Sequence, residues 1–349
     1  IILGIGKKER GKKESRFSQI YEVTLHQYEE GKALLGLNNL RAVTLLGEAK
    51  TSLGQLRKDF GKGSPEAKKI EELLAKIEQG VEEASQVFKL APDVFLDLGL
   101  VKEGGEGQNL AIYGETILVS DNKNSSLYQI TVKSKSSQIL AGGGTITGAS
   151  LVALGENKAY VLTNEGIVEI ELKTKNLRLK IKKDSEWGEI KALNFFAGNL
   201  YLLDKTKSSI WKYVGGEAEF SPKRNYLTDE YDLSNSSSMA IDGSVWLTTE
   251  KILKFIQGKQ DSFDPPAGGQ GLEQPLGTNL LIFTSDETKN LYILDKTNNR
   301  VVVLDKTGTY KSQYIWEGIG EVSDLVVSEG ERKIFLLSGS KIYTLELKL

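Results

Sequence analysis

Residues Asn199–Tyr213 read NLYLLDKTKSSIWKY, and Asn290–Asp305 read NLYILDKTNNRVVVLD, 91 residues further along the chain. Each stretch is an alternating apolar run, a polar turn and a second alternating run, the pattern of a β-hairpin with one buried face. Four further versions of the first half follow the same rule: ETILVSD (115–121), KAYVLTN (158–164), SVWLTTE (244–250) and KIFLLSG (333–339). Aligned on Leu118, Tyr160, Tyr201, Trp246, Tyr292 and Phe335, the six copies are spaced by 42, 41, 45, 46 and 43 residues. Five of the six aligned positions are aromatic.

An apolar run precedes each copy (NLAIYG, GASLVALG, IKALNFFAG, SSMAIDG, LLIFTSD, VSDLVVSEG) and another follows it. A unit of three or four antiparallel strands repeating every 41–46 residues implies a β-propeller, because one such sheet cannot bury both faces and a ring of them can. The aromatics are expected to fill the gaps between neighbouring blades. The last unit, ending in IYTLELKL, lacks a fourth strand, and DVFLDLGLV (93–101) is a strand without a place just before the first unit. It is expected to complete the last blade and lock the ring. The units resemble the NHL, TolB-like and related six-bladed propellers over residues 93–349, on the strength of the period and the strand–turn–NLYLLDKT pattern. The Gly-His/Trp-Asp signatures of WD40 repeats are absent. The resemblance implies an architecture and not an activity, since this group holds both binding platforms and enzymes.

Residues 16–90 have helical period. One stripe is Phe17, Tyr21, Leu25, Tyr28 and Leu35, the next runs from Val43 to Phe60, and the third from Ile70 to Phe88. GLNN and GKGSPEA separate them, with Ser64 placed to cap a helix that has Pro65 at its first position. A three-helix antiparallel stem is expected, so the fold class is mainly β, a six-bladed propeller after a helical stem. Residues 1–15 combine a short apolar start with six Lys/Arg between Lys7 and Arg16 (Lys7, Lys8, Arg10, Lys12, Lys13, Arg16). That pattern reads as the basic flank of a membrane helix lying upstream of Ile1. The expectation is a membrane-anchored chain, its propeller on the extracytoplasmic side, with an effector domain further upstream.

Residues 1–90 carry a net charge of +3 and the remainder −5, which gives −2 in total. The mildly acidic larger part argues against a nucleic-acid partner, which would demand Lys/Arg against the phosphates. There is no cysteine, so thiol nucleophiles, zinc–thiolate sites and disulfides are excluded. The single histidine, His26, lies in the stem, and no Ser–His–Asp or Cys–His arrangement can form inside the ring. AGGGTITG (141–148) lacks the Lys-Ser/Thr of a phosphate-binding loop and EGGEGQN has no following helix, so both read as turns.

Binding is the stronger expectation. The connections between blades carry Trp187, Tyr231, Phe263 and Trp316 among acidic residues that include Asp184, Glu186 and Asp229. Aromatics with a polar surround suit an interface, while each alone serves equally well to plug a gap between blades. On this reading the chain is a non-enzymatic recognition or scaffold module without a cofactor, taking a protein or a polar small ligand on its rim. The alternative is a metal-dependent hydrolase or lactonase. The resemblance implies Glu, Asn and Asp around a divalent metal at the ring centre for such enzymes, and no residue here is assigned to those places.

Overall fold

Period-2 runs separated by turns fold locally into hairpins, and six sheets result, five of four strands and one of five. The structure, a computed structural model, describes residues 2–266, 272 and 274–348, with side chains from residue 11 onward. Its helical unit ends at Phe88 and its propeller unit begins at Lys89.

Blade 1 comprises Asn109–Tyr113, Thr116–Asp121, Ser126–Thr131 and Ser136–Gly142; blade 2 comprises Val152–Leu154, Lys158–Thr163, Gly166–Glu171 and Leu177–Lys182. Blade 3 comprises Ile190–Phe196, Asn199–Asp204, Ser209–Tyr213 and Arg224–Asn225; blade 4 comprises Ser238–Ile241, Val245–Thr248, Ile252–Ile256 and Lys259–Asp261. Blade 5 comprises Leu280–Phe283, Asn290–Asp295, Arg300–Asp305 and Tyr310–Ile315. Blade 6 has Asp324–Ser328, Lys333–Ser338 and Lys341–Glu346. Its outer strand comes from the start of the propeller, as the sequence predicts, but spans only Asp93–Asp97 of the expected 93–101, because Leu98–Val101 turn into a short helix. Asp93 pairs with Thr344, Val94 with Tyr343 and Asp97 with Lys341. The inner strand of each blade packs on those of both neighbours, blade 6 on blade 1, which closes the ring around a central channel.

The aligned positions of the repeat do fill the gaps between blades. All six are at most 5% exposed, and Tyr160 of blade 2 stacks on Phe195 of blade 3 with ring centroids 4.8 Å apart. A second regularity underlies this one. Three residues after the aligned position stands Asp121, Asp204 or Asp295 in the odd blades and Thr163, Thr249 or Ser338 in the even ones. The three aspartates have no exposed surface. Each accepts a backbone N–H from its own turn: Asn124 at 2.9 Å, Lys207 at 3.1 Å, Asn298 at 3.2 Å. Each also accepts a backbone N–H from the segment entering the blade: Glu106 at 3.0 Å, Gly188 at 2.8 Å, Gly277 at 3.3 Å. The third donor is a side chain of the next strand: Tyr128 Oη, Trp211 Nε1 or Arg300 Nε. The even blades manage with a hydroxyl, as where Thr163 donates to the Gly166 carbonyl at 2.9 Å. The odd blades thus share a clamp that the even ones lack, and the two most alike stretches of sequence belong to blades 3 and 5.

In the helical unit, α1 (Ile2–Ala33), α2 (Asn39–Arg57) and α3 (Pro65–Ala84) bury Leu46, Leu53, Leu56, Ile70 and Ile77. Ser64 caps α3 by accepting the Ala67 N–H at 3.1 Å. Gly31 allows α1 to lie close on α2, since a Cβ there would meet Leu46 Cγ at 2.8 Å. The membrane-anchored expectation is corrected here: no helix among the described residues is long and apolar enough to cross a membrane. The short apolar start belongs to a helix that continues for 32 residues through the basic run. Lys7, Lys8 and Arg10 lie in that helix with side chains outside the described set. Lys12 and Lys13 are exposed, and Arg16 pairs with Asp59 at 3.0 Å.

Removing an aspartate that serves three buried donors leaves them without a partner. Asp204→Ala should lower unfolding stability by on the order of 3 kcal/mol, against about 1 kcal/mol for Thr163→Ala in an even blade. Urea titration followed by tryptophan fluorescence checks the order of the two, and equal losses would remove the aspartates' special standing.

Candidate functional site

The six inner strands enclose a cavity of about 590 Å³, within the range of small-molecule sites. Its wall is apolar along the strands and polar at their ends. Asp324 opens the inner strand of blade 6 and Asn109 that of blade 1, and both line the cavity. Asp324 Oδ2 accepts Asn109 Nδ2 and the Leu110 N–H, each at 2.7 Å, and its Oδ1 accepts the Leu325 N–H at 2.8 Å. Asn109 passes the link onward, its Oδ1 accepting the Val152 N–H of blade 2 at 2.9 Å. Ser238 does the same between blades 4 and 5, donating to the Ile282 carbonyl at 3.3 Å.

Asp324 lies deep among protein atoms, while part of its surface faces the cavity. Burial pushes its carboxyl up to about 6, and the three N–H donors and the Lys296 ammonium oppose that rise without cancelling it. Lys296, in the turn after Asp295, is pulled below the ordinary lysine range by burial, with Asp324 and Glu321 opposing. At the other ends of the inner strands, Tyr113 is raised by burial and by Glu156, Glu287 and Asp286, which make that mouth acidic.

A divalent cation does not fit this wall. Among the described residues no group of three His, Cys, Asp or Glu side chains could hold one. Both Asp324 oxygens already accept N–H donors, the site disfavours their charge, and the Asn109 carbonyl oxygen is turned to Val152.

The four rim aromatics are half-buried and each rests on a blade aromatic. Trp187 Nε1 donates to Tyr213 Oη at 2.9 Å, and Tyr231 lies edge-on to Phe255 with its Oη accepting the Gln260 N–H at 3.2 Å. Phe263 meets Trp246 at 4.9 Å between centroids, and Trp316 meets Tyr343 at 5.3 Å. Asp184 and Glu186 share Lys223, at 2.5 and 2.6 Å, and that ammonium holds Asp184 below the ordinary carboxylate range. Asp229 is exposed and accepts Thr228 Oγ1 at 3.1 Å. These seven residues fall on four connections between blades, Asp184, Glu186 and Trp187 on one, Asp229 and Tyr231 on the next, and Phe263 and Trp316 on one each. The pair that the structure brings together, Asn109 and Asp324, was not among the expected site residues. The signal was present: an amide and a carboxylate open the apolar runs NLAI and DLVV.

No protein-family model and no curated protein sequence matches the chain. Among solved structures it is similar to regucalcin, a calcium-binding protein of Agrobacterium tumefaciens, with 12% identity over 75% of this chain and 95% of that one and a TM-score of 0.52. It is also similar to a gluconolactonase of Xanthomonas campestris, with 11% identity over 74% and 94% and a TM-score of 0.51. A protein of unknown function from Bacteroides thetaiotaomicron gives 13% identity over 73% of each chain and a TM-score of 0.52. The six-bladed architecture is shared, and the likeness to NHL and TolB-like propellers holds at the level of fold. The expectation of a non-enzymatic module is corrected by these neighbours. That expectation rested on the lack of His and Cys in the ring, and a gluconolactonase has this same fold.

Because the folded state favours protonated Asp324, that contribution to stability is complete below the unfolded pKa near 4 and is lost as pH rises through about 6. Above that the ionised carboxylate costs on the order of 2 kcal/mol, after allowance for the part of it that faces the cavity. Asp324→Asn should therefore gain melting temperature relative to wild type as pH is raised from 4 to 8. A difference that stays flat over that range would contradict the shift.

Proposed function

We propose that the chain works through its central channel, on a small polar molecule, with Asp324 as the acid–base residue. The observation that carries this reading is a carboxyl held at about 6 on the wall of a 590 Å³ cavity. A general base near neutrality combines a useful ionised fraction with real proton affinity. The three N–H donors fix the carboxylate's orientation, so it meets a bound molecule in one geometry.

A lactone is the substrate class to examine first, because the six-bladed frame is common to this chain and to a gluconolactonase. Ionised Asp324 takes a proton from the water whose oxygen attacks the lactone carbonyl. The ring C–O bond then breaks and the departing alkoxide receives that proton from Asp324. Lactone and water become a hydroxy acid, and the carboxylate is restored. No step requires a metal, in keeping with a donor set that does not fit one.

Hydrolysis of D-glucono-δ-lactone, followed by proton release in weakly buffered indicator dye, tests this. The rate over background should rise through about pH 6 and persist after chelator treatment, and Asp324→Asn should lose about 100-fold or more. Absence of turnover in the wild type, or an undiminished rate in the variant, would overturn the reading.

A further inference from the structure

A polar row crosses the face of blade 3 that packs on blade 4. Asn194 pairs with Tyr201, Tyr201 with Lys212 and Lys212 with Arg224, one residue from each strand. Residues directly paired across neighbouring strands project from the same face of a sheet, and Tyr201 packs with Val245 and Phe255 of blade 4. Lys212 Nζ stands 5.0 Å above the Tyr201 ring. Beside it lies Arg224, a second cation, where like charges in register repel.

The equivalent row of blade 4 shows what the row needs. Trp246 pairs with Lys254 and Lys254 with Asp261, Lys254 Nζ stands 5.4 Å above the Trp246 ring, and Asp261 receives that ammonium at 2.7 Å. Blade 2 also balances its row, Glu169 pairing with Arg178 in register and binding Lys158 at 3.1 Å. In blade 3 the place of the anion is taken by Arg224. Neither Lys212 nor Arg224 forms an ion pair with any described residue.

Both cations line a groove of about 430 Å³ between blades 3 and 4, with Phe196, Tyr201, Tyr226 and Gln257 among the other lining residues. None of its lining residues is acidic. Tyr201 and Tyr226 meet edge to face at 5.7 Å; Tyr201 is buried beneath Lys212, and Tyr226 is half-buried at the groove.

We propose that this groove binds a small organic oxyanion, a carboxylate, sulfate or phosphate on a flat or ring-shaped body. Its charged group sits between Lys212 and Arg224 and its body lies against Tyr226. The ligand supplies the negative charge that Asp261 supplies in blade 4. Arg224 offers a planar fork suited to two oxygens, and Lys212 adds a point charge. This site is separate from the Asp324 channel and does not depend on the function proposed for it.

The test is thermal melting and calorimetric titration of the whole chain with benzoate, and separately with sulfate, at low ionic strength matched with chloride. Benzoate should raise the melting temperature of the wild type. Lys212→Gln and Arg224→Gln should each bind benzoate at least 10-fold more weakly. Arg224→Asp, which copies the blade 4 pair, should melt at or above the wild type without ligand and lose the response to benzoate. Sulfate acting as well as benzoate would support the charged half of the site and overturn the aromatic half. The site falls entirely if neither anion exceeds chloride, if Arg224→Asp keeps the benzoate response, or if that variant melts lower.

Discussion

A carboxylate with no exposed surface must be surrounded by donors, and in this propeller the donors come from three places at once. Asp204 holds the turn that follows it, the indole of Trp211 on the next strand, and Gly188 in the loop arriving from blade 2. The first two fix a hairpin. The third ties the arriving loop to that hairpin, so the inner strand of blade 3 begins at a set height along the channel. Asp121 and Asp295 do the same for blades 1 and 5. Because buried charge is costly unless fully bonded, these clamps admit little play. The even blades are held between them with lighter hydroxyl contacts.

The channel wall inherits that rigidity. Asp324 and Asn109 are heads of inner strands, and each links its own blade to the next. The same residues that rivet the ring thus also stand on the wall of its centre. The carboxyl is short of water rather than short of partners, which is why three N–H donors leave it at about 6.

What could be read from the sequence was what is local or repeated. Strand alternation, the 41–46 residue period, the Ser64–Pro65 helix start and the missing outer strand of the last blade all depend on near neighbours or on counting. The site was hidden because Asn109 and Asp324 stand 215 residues apart and meet only when the ring closes. The rim aromatics could not be weighed from sequence either, since whether Trp187 or Phe263 is covered depends on Tyr213 and Trp246, which lie on strands elsewhere. The crowding of Lys212 against Arg224 becomes visible only with the strand register, as the eleven residues between them include an irregular excursion around Gly215 and Phe220. The absence of His and Cys from the ring also says nothing of a carboxyl whose chemistry comes from its surroundings.

The closing strand has a consequence in time. Asp93–Asp97 emerges from the ribosome some 250 residues before Lys341–Glu346, the strand it joins. At about 5–20 residues per second, that is a wait on the order of 10–50 s. During it, the backbone of a β-strand stands open to any other edge. The segment reads DVFLD, three apolar residues between two carboxylates, and charges at both ends discourage sideways pairing. Asp93 and Asp97 thus stand at both ends of an edge whose partner, Lys341–Glu346, is among the last parts of the chain to be made.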